Sequence, residues 1–498
     1  MKKNDAHQYY QKGNYFAAEE MYDLSILNCT KAIEINPSFS KCFCLRGMVY
    51  MEKELYDKAL ADYDMAIDID PKNTEFYQER GLLYVVKKCY KKAIENFCQA
   101  IECDSMNIDA YFNRGVAYYD SKFYQLAIKD FTKVIVLSPC NKEGYLHRAL
   151  AYFEINLYDK AISDLTKLIK LDPTYADAYF NRGLIFLNKK QYTRSIMDFS
   201  KAIELQPSDS LNYYNRATAY CEKKMFDNAM SDYSKALKLN PQLKEAYYNR
   251  GNLCRESEQF DKALADYTKA INIDSSFKQA YFNRGVTHGE KRLFKKAISD
   301  FTKVIGLTVN DDKAYKRRGY YYFELKEYDK AIFDYTMAIK INSKNPVLYY
   351  NRAIAYEDKN LYKNALSDYT KAIEMNPKYA DAYYNRGRVY ALLKLYKEAV
   401  IDYSKSIDID SSNPHSFFSR GNVYMSKGDY DKAIADYDKG IAIDQNYSDI
   451  YFNKARVCEK AGYFKKAIVA YEQFIKLAPP DDKDIETAKK KIETLKKK

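Results

Sequence analysis

The chain has 498 residues, more than the roughly 250–300 at which one compact core stops growing, so a single globular core is not expected. A net charge of +12 requires nucleic acid to be weighed as a partner. No apolar run approaches the roughly 20 residues of a membrane span, so we expect no membrane partner. Ten irregularly spaced cysteines and an N-terminal stretch without an apolar signal segment lead us to expect a reducing, cytoplasmic location.

Residues 110–139 show the local pattern that organises the chain. Apolar or small residues recur at helical spacing in both halves, namely Tyr111, Gly115, Tyr118, then Ala127, Phe131, Val134. A polar break at 120–122 separates the halves, and Pro139 ends the second because proline cannot continue a helix. The pattern predicts a helical hairpin whose small residues allow close helix approach. One hairpin cannot bury its own apolar face, so it must stack on copies of itself.

Copies of this hairpin occur every 34 residues. The small residue of the first helix falls at Gly13, Gly47, Gly81, Gly115, Ala149, Gly183, Ala217, Gly251, Gly285, Gly319, Ala353, Gly387, Gly421 and Ala455. These positions define fourteen repeats, numbered 1 to 14, over residues 6–481. The period and its aromatic, Gly/Ala and Pro offsets resemble the tetratricopeptide repeat. The resemblance implies an all-α, right-handed superhelical solenoid.

The C-terminal segment, residues 482–498, is predicted to be a capping helix. Its apolar residues form one helical stripe, Ile485, Ala488, Ile492 and Leu495, and lysines occupy most of the remainder. Such a helix can cover the last hairpin and keep the end of the array polar.

A charged pair recurs within the repeats. Arg precedes the small residue in twelve repeats, from Arg46 to Arg420, and Asp follows sixteen positions later in eleven of them, as in Arg114 and Asp130. Across an antiparallel hairpin these positions lie roughly opposite each other. We predict a structural ladder of pairs within repeats, which would set register more than add net stability.

The sequence carries no enzyme signature. Its four histidines lie in different repeats, and the Cys42/Cys44 and Cys98/Cys103 spacings do not suit tetrahedral zinc. No glycine-rich phosphate loop, GxSxG or HExxH motif is present. We therefore expect no catalysis, no metal and no cofactor.

The resemblance implies that the first helices line the concave surface. The sixth position is Asn in eight repeats: Asn113, Asn181, Asn215, Asn249, Asn283, Asn351, Asn385 and Asn453. The fifth is aromatic in ten, including Phe112, Phe180, Tyr214, Tyr248, Phe282, Tyr350 and Tyr384. A primary amide both donates and accepts, so it can pair with any peptide backbone, as similar ladders do in O-linked glycosyltransferases. These residues predict a groove for extended peptide segments of other proteins; the alternative is that the amides bond within their own hairpins.

The distribution of charged residues favours peptide binding over RNA binding. The thirteenth position is acidic in eight repeats, as at Asp120, Glu154 and Glu222, and an acidic edge repels a phosphate backbone. Lysines recur on the second helix, as at Lys133 and Lys167, where a solvated outer face explains them. Aromatic residues could still stack bases, so an RNA-binding helical-repeat protein remains the alternative.

A second alternative concerns repeats 8 to 10. Tetratricopeptide co-chaperones bind the terminal carboxylate of a chaperone tail with Lys and Asn residues at set offsets. Four of the five offsets match here, at Asn252, Asn283, Lys313 and Arg317, but Tyr248 replaces the first lysine. The resemblance implies an incomplete carboxylate clamp for a chaperone C-terminal tail.

Repeat 9 departs from the pattern. His288 and Gly289 replace an aromatic and a larger residue, and Gly306 lies in the second helix. Glycine weakens a helix by about 1 kcal/mol relative to alanine. We therefore hypothesise a soft region within residues 278–312.

Overall fold

The computed structural model describes residues 2–497, with side chains from residue 5 onward. In that range all regular structure is α-helical: 29 helices follow one another as hairpins, and no strand occurs. The all-α repeat architecture predicted from the 34-residue period is therefore confirmed. The chain divides into two compact units, residues 1–246 and 247–498, which are described separately.

The first unit contains fourteen complete helices and the start of a fifteenth. Their bounds are α1 (Lys2–Ala18), α2 (Tyr22–Ile35), α3 (Ser40–Glu52), α4 (Tyr56–Ile69), α5 (Thr74–Val86), α6 (Tyr90–Cys103), α7 (Ile108–Asp120), α8 (Tyr124–Leu137), α9 (Lys142–Glu154), α10 (Tyr158–Leu171), α11 (Ala176–Asn188), α12 (Tyr192–Leu205), α13 (Ser210–Glu222) and α14 (Phe226–Leu239). The division between the units falls within α15 (Lys244–Glu256).

The second unit continues the same alternation of first and second helices. Its remaining helices are α16 (Phe260–Ile273), α17 (Lys278–Glu290), α18 (Phe294–Leu307), α19 (Asp312–Glu324), α20 (Tyr328–Ile341), α21 (Pro346–Asp358), α22 (Tyr362–Met375), α23 (Ala380–Leu392), α24 (Tyr396–Ile409), α25 (Pro414–Lys427), α26 (Tyr430–Ile443), α27 (Ser448–Lys460), α28 (Phe464–Leu477) and α29 (Asp484–Leu495).

Close packing within each hairpin depends on the small residue of the first helix. A Cβ built on Gly115 would lie 2.7 Å from the ring of Phe131, which is fully buried on the second helix. A larger side chain at this position would therefore force the two helices apart. The predicted role of the small residues in helix approach is confirmed.

The turn inside each hairpin requires a left-handed backbone residue. In the first twelve repeats that residue is not glycine: Glu20, Glu54, Lys88, Lys122, Asn156, Lys190, Lys224, Glu258, Arg292, Lys326, Asn360 and Lys394 have φ between 56° and 64°. In the last two repeats the same place is taken by Gly428 and Gly462. Because a side chain disfavours this conformation by about 1–2 kcal/mol, packing of the two helices must hold the turn.

The predicted Arg–Asp ladder is present in both units. In eleven repeats the guanidinium donates from Nε and Nη2 to both oxygens of the Asp carboxylate, at 2.6–3.0 Å. The Asp residues are buried, so each charge is compensated where water is scarce. In most of these repeats Nη1 donates to a hydroxyl of the preceding repeat, as from Arg148 to Thr132 at 3.0 Å, whereas Arg114 donates to Sγ of Cys98 at 3.2 Å. The ladder therefore also joins neighbouring repeats.

The last helix, α29, covers the final hairpin as predicted. Ala488, Ile492 and Leu495 are buried against the core formed by α26 to α28, and Ile485 packs beside them. Lys491 donates to Glu459 on α27 at 2.7 Å, which adds a polar contact between cap and hairpin.

Candidate functional site

The eight groove asparagines fall into different groups in the structure. Three of them donate from Nδ2 to the preceding repeat: Asn283 to Tyr248 and Asn252, Asn385 to Tyr350, and Asn453 to Asn422, at 2.8–3.1 Å. Their amide hydrogens are therefore used, at least in part, to hold adjacent repeats together. Asn249 also interacts within the chain.

The other four asparagines leave more of their amides available. Asn181 and Asn215 donate to carbonyls one turn back in their own helices, at 2.8 and 2.9 Å, and their side-chain oxygens accept no hydrogen bond from the described residues. Asn113 and Asn351 form no hydrogen bond with any residue between 2 and 497. All four are half-buried rather than enclosed, so a ligand can reach them.

The preceding repeat accounts for the different bonding of Asn283 and Asn181. Asn283 follows a repeat with Tyr248 and Asn252 at its fifth and ninth positions, and both accept from it. Asn181 follows a repeat with Leu146 and Leu150 at those positions, and leucine offers no acceptor. Asn283 is therefore bonded to the repeat before it, whereas Asn181 has no such acceptor within reach of its offset.

The aromatic residues of the fifth position belong partly to the hairpin core. Each lies half-buried, with its ring 5.1–6.1 Å from a ring of its own second helix: Phe112, Phe180, Tyr214, Tyr248, Phe282, Tyr350 and Tyr384. These pairs fix the rings, so the groove presents rigid apolar faces beside the amides. The acidic side chains of the thirteenth position, including Asp120, Glu154 and Glu222, are exposed.

Part of the proposed carboxylate clamp is occupied by its own residues. Asn252 accepts from Asn283 and from Tyr267, each at 2.8 Å. Lys313 and Arg317 are exposed on α19 and have no ion-pair partner in the described part of the chain. The side chains of Lys313 and Arg317 and the Nδ2 group of Asn252 are thus available to bind an anion.

The structure also reveals groove residues that the repeat offsets did not single out. Glu357 is 6% exposed, accepts from Tyr369 at 2.8 Å and pairs with Arg388 at 2.8 Å. Glu79 occupies the sixth position of repeat 3, where most repeats have Asn. Burial, and then the charge of Glu75, raise the pKa of Glu79 to about 7. The sequence signal that could have identified Glu79 is a carboxylate at the sixth position, where most repeats have an amide.

Two negative observations concern other classes of site. Across the described residues, no group of three or more His, Cys, Asp and Glu side chains could hold a metal ion. None of the helices in residues 2–497 is both long enough and apolar enough to cross a membrane.

Sequence profiles of one repeat family match most of the chain. Profiles described as "TPR repeat" match residues 87–122, 151–190 and 421–462. Profiles described as "Tetratricopeptide repeat" match residues 40–73, 176–209, 212–243, 245–277, 312–345, 350–414 and 448–481. No curated protein sequence matches.

Several solved structures resemble the chain. YrrB, titled a TPR protein with an unusual peptide-binding site, is 26% identical, with 37% of this chain and 95% of YrrB covered and a TM-score of 0.34. The Cut9–Hcn1 match is 13% identical and covers 91% of this chain and 96% of the other, with a TM-score of 0.38. The C-terminal part of a TPR repeat-containing protein from Cytophaga hutchinsonii is 21% identical, covering 48% and 97%, with a TM-score of 0.41.

Proposed function

Because the chain belongs to the tetratricopeptide repeat family, we propose that it is a non-enzymatic scaffold that binds extended segments of partner proteins along its first helices. The binding array is residues 6–481, and residues 482–498 are the cap. All ten cysteines are free, which supports a cytoplasmic location.

The observation that carries this proposal is the pairing of an available amide with a fixed ring. In repeat 4, Asn113 forms no hydrogen bond with the described residues, and the ring of Phe112 lies 5.8 Å from that of Phe131. In repeat 6, the oxygen of Asn181 is available beside Phe180. The amide can bond to a peptide backbone of any sequence, and the ring supplies apolar contact. An extended segment exposes the backbone groups that such amides need.

The exposed acidic edge favours peptide over nucleic acid. Asp120, Glu154 and Glu222 would repel a phosphate backbone and attract basic side chains. The experiment must therefore distinguish peptide binding from RNA binding. RNA binding would be recognised by an affinity that falls steeply as the salt concentration rises.

The experiment compares two triple variants of the full chain. Crosslinking pulldown and mass spectrometry identify a bound segment, and its labelled peptide is then titrated by fluorescence anisotropy. The variant Asn113→Ala, Asn181→Ala, Asn215→Ala removes amides that hold no other repeat, so we expect affinity to fall about 10- to 100-fold, at about 1 kcal/mol for each hydrogen bond. Unchanged affinity, or selective binding of RNA with a steep salt dependence, would refute the proposal.

The matched control removes amides that link repeats. Asn283→Ala, Asn385→Ala, Asn453→Ala breaks four hydrogen bonds between adjacent repeats. We expect this variant to lower the melting temperature more than the first variant does, and to lower peptide affinity less. The reverse order would show that the linking amides are the ligand-binding ones.

A second candidate ligand is a terminal carboxylate at repeats 8 to 10. The exposed, unpaired cations Lys313 and Arg317 support it, because a carboxylate pair needs such charges. An Asp-terminated chaperone tail peptide should bind the wild-type chain, and both Arg317→Ala and amidation of the peptide terminus should weaken binding. Equal affinity for the amidated peptide would exclude this candidate.

A further inference from the structure

Repeat 3 places a carboxylate where other repeats place an amide. Glu79 lies on α5 and is only partly exposed, yet it forms no hydrogen bond or ion pair within residues 2–497. By the register of the other repeats, its neighbours are the fifth and ninth residues of repeat 2. Those residues are Cys44 and Met48, and neither is a strong hydrogen-bond donor.

A buried hydroxyl beside Glu79 also lacks a partner. Tyr63 on α4 is fully buried, and its Oη has no hydrogen bond in the described chain, so it does not donate to the Glu79 carboxylate. Equivalent tyrosines of other repeats donate to groove residues of their own repeat, as Tyr267 does to Asn252 at 2.8 Å. In repeat 2 the corresponding groove residues are Met48 and Met51, which pack on the same core and leave the hydroxyl unsatisfied.

Within residues 5–497, no cation forms an ion pair with Glu79. The titratable groups that face Glu79 are Cys44 on α3, Tyr63 on α4 and Glu75 on α5. Burial comes first and the negative charge of Glu75 second in raising the pKa of Glu79 to about 7. Burial likewise raises the pKa of the Tyr63 hydroxyl, and Glu79 is the charge that raises it most. A half-buried carboxylate and a buried hydroxyl without partners are costly unless a ligand supplies donors.

We propose that Glu79, Glu75 and the Tyr63 hydroxyl, together called the acidic site, bind a primary ammonium group of a peptide. The inference rests on the proposed peptide-binding function and assigns a side-chain preference to one part of the groove. An ammonium carries three donors, which Glu79, Glu75 and the Tyr63 oxygen can accept. A lysine side chain is long and narrow enough to reach a half-buried carboxylate, and a peptide N-terminus offers the same group.

The test follows the carboxyl carbon of Glu79 by NMR in the full chain labelled with ¹³Cδ-glutamate. The Glu79→Gln variant assigns the resonance by its loss. Three probes are titrated: Nα-acetyl-lysine N-methylamide, glycine N-methylamide with its free α-amine, and the uncharged Nα,Nε-diacetyl-lysine N-methylamide. An ammonium held beside the carboxylate should lower the pKa of Glu79 to about 6 or below, because an opposite charge favours the ionised form.

Each outcome has a defined meaning. A lower pKa with the lysine probe alone identifies a lysine side chain, and one with the glycine probe alone identifies an N-terminus. No change with either probe, or an equal change with the diacetyl probe, overturns the proposal. Glu143→Gln removes a negative charge at the offset of Glu75 in repeat 5 and should leave the response intact. A negative result in this NMR test would not change the loss of peptide affinity expected for the Asn113, Asn181, Asn215 triple alanine variant. The two proposals can therefore fail separately.

Discussion

The irregular ninth repeat contains a complementary pair whose coupling can be measured. A Cβ on Gly289 would lie 2.0 Å from Oη and 2.3 Å from Cζ of Tyr321 in the next repeat. Tyr321 is 4% exposed, and its ring stacks 5.8 Å from both Phe294 and Phe301, so it cannot move aside freely. Tyr321 therefore fills the space that Gly289 leaves, which offsets part of the softness predicted for residues 278–312.

The expected effect of Gly289→Ala depends on Tyr321. Overpacking costs about 1–3 kcal/mol, and the gain in helix propensity returns about 1 kcal/mol. The substitution should therefore destabilise the wild-type background by up to about 2 kcal/mol. In a Tyr321→Ala background the clash is absent, and the same substitution should stabilise by about 1 kcal/mol. The predicted coupling energy is about 1–3 kcal/mol.

The assay is native-state hydrogen exchange of α17 to α19, because a long repeat array does not unfold in two states. Gly306→Ala is the matched control: its Cβ would meet nothing within 4 Å, so its effect should be equal in both backgrounds. Equal effects of Gly289→Ala in the two backgrounds would refute the complementary-pair interpretation.

Three further predictions concern the first unit. Asn212 is 1% exposed, and neither its side-chain nitrogen nor its oxygen has a hydrogen-bond partner in the described part of the chain. Asn212→Ala should therefore stabilise the fold by about 1 kcal/mol; a lower melting temperature would contradict this. Arg216→Leu leaves Asp232 buried without its cation, so it should cost about 3–5 kcal/mol. In the folded variant peptide affinity should be unchanged, and a selective loss would refute a purely structural ladder. The folded state keeps the Glu79 proton up to about pH 7 whereas the unfolded chain loses it near pH 4.3. Stability should therefore fall as pH rises between these values, and a melting-temperature difference from Glu79→Gln that stays constant with pH would contradict this.

The hairpins and their internal ion pairs were predictable because local geometry determines both. Arg114 and Asp130 stand sixteen residues apart, and a tight antiparallel hairpin brings those positions together whatever surrounds them. The contact of Arg148 with Thr132 in the preceding repeat was missed, although a hydroxyl sixteen residues before the Arg was visible in the sequence. Contacts between repeats depend on the stacking angle, which a single repeat does not specify.

The groove was predictable only as a set of positions. Asn181 and Asn283 share the same offset, yet one bonds to its own helix and the other to the preceding repeat. The difference depends on side chains 31 and 35 residues earlier, as the contacts of Asn283 with Asn252 and Tyr248 show. Glu79 was overlooked because averaging over repeats hides the individual repeats that depart from the average.

Most ladder arginines donate to a hydroxyl of the repeat before them, which makes these joints between hairpins interchangeable. Arg148 takes Thr132 and Arg182 takes Thr166, both at 3.0 Å. Excising residues 142–175 would bring Arg182 next to Thr132, which offers the same hydroxyl acceptor as Thr166. The number of repeats can therefore change by whole hairpins without new contacts between repeats having to evolve. Recognition can then be lengthened or shortened one hairpin at a time while the joints stay the same.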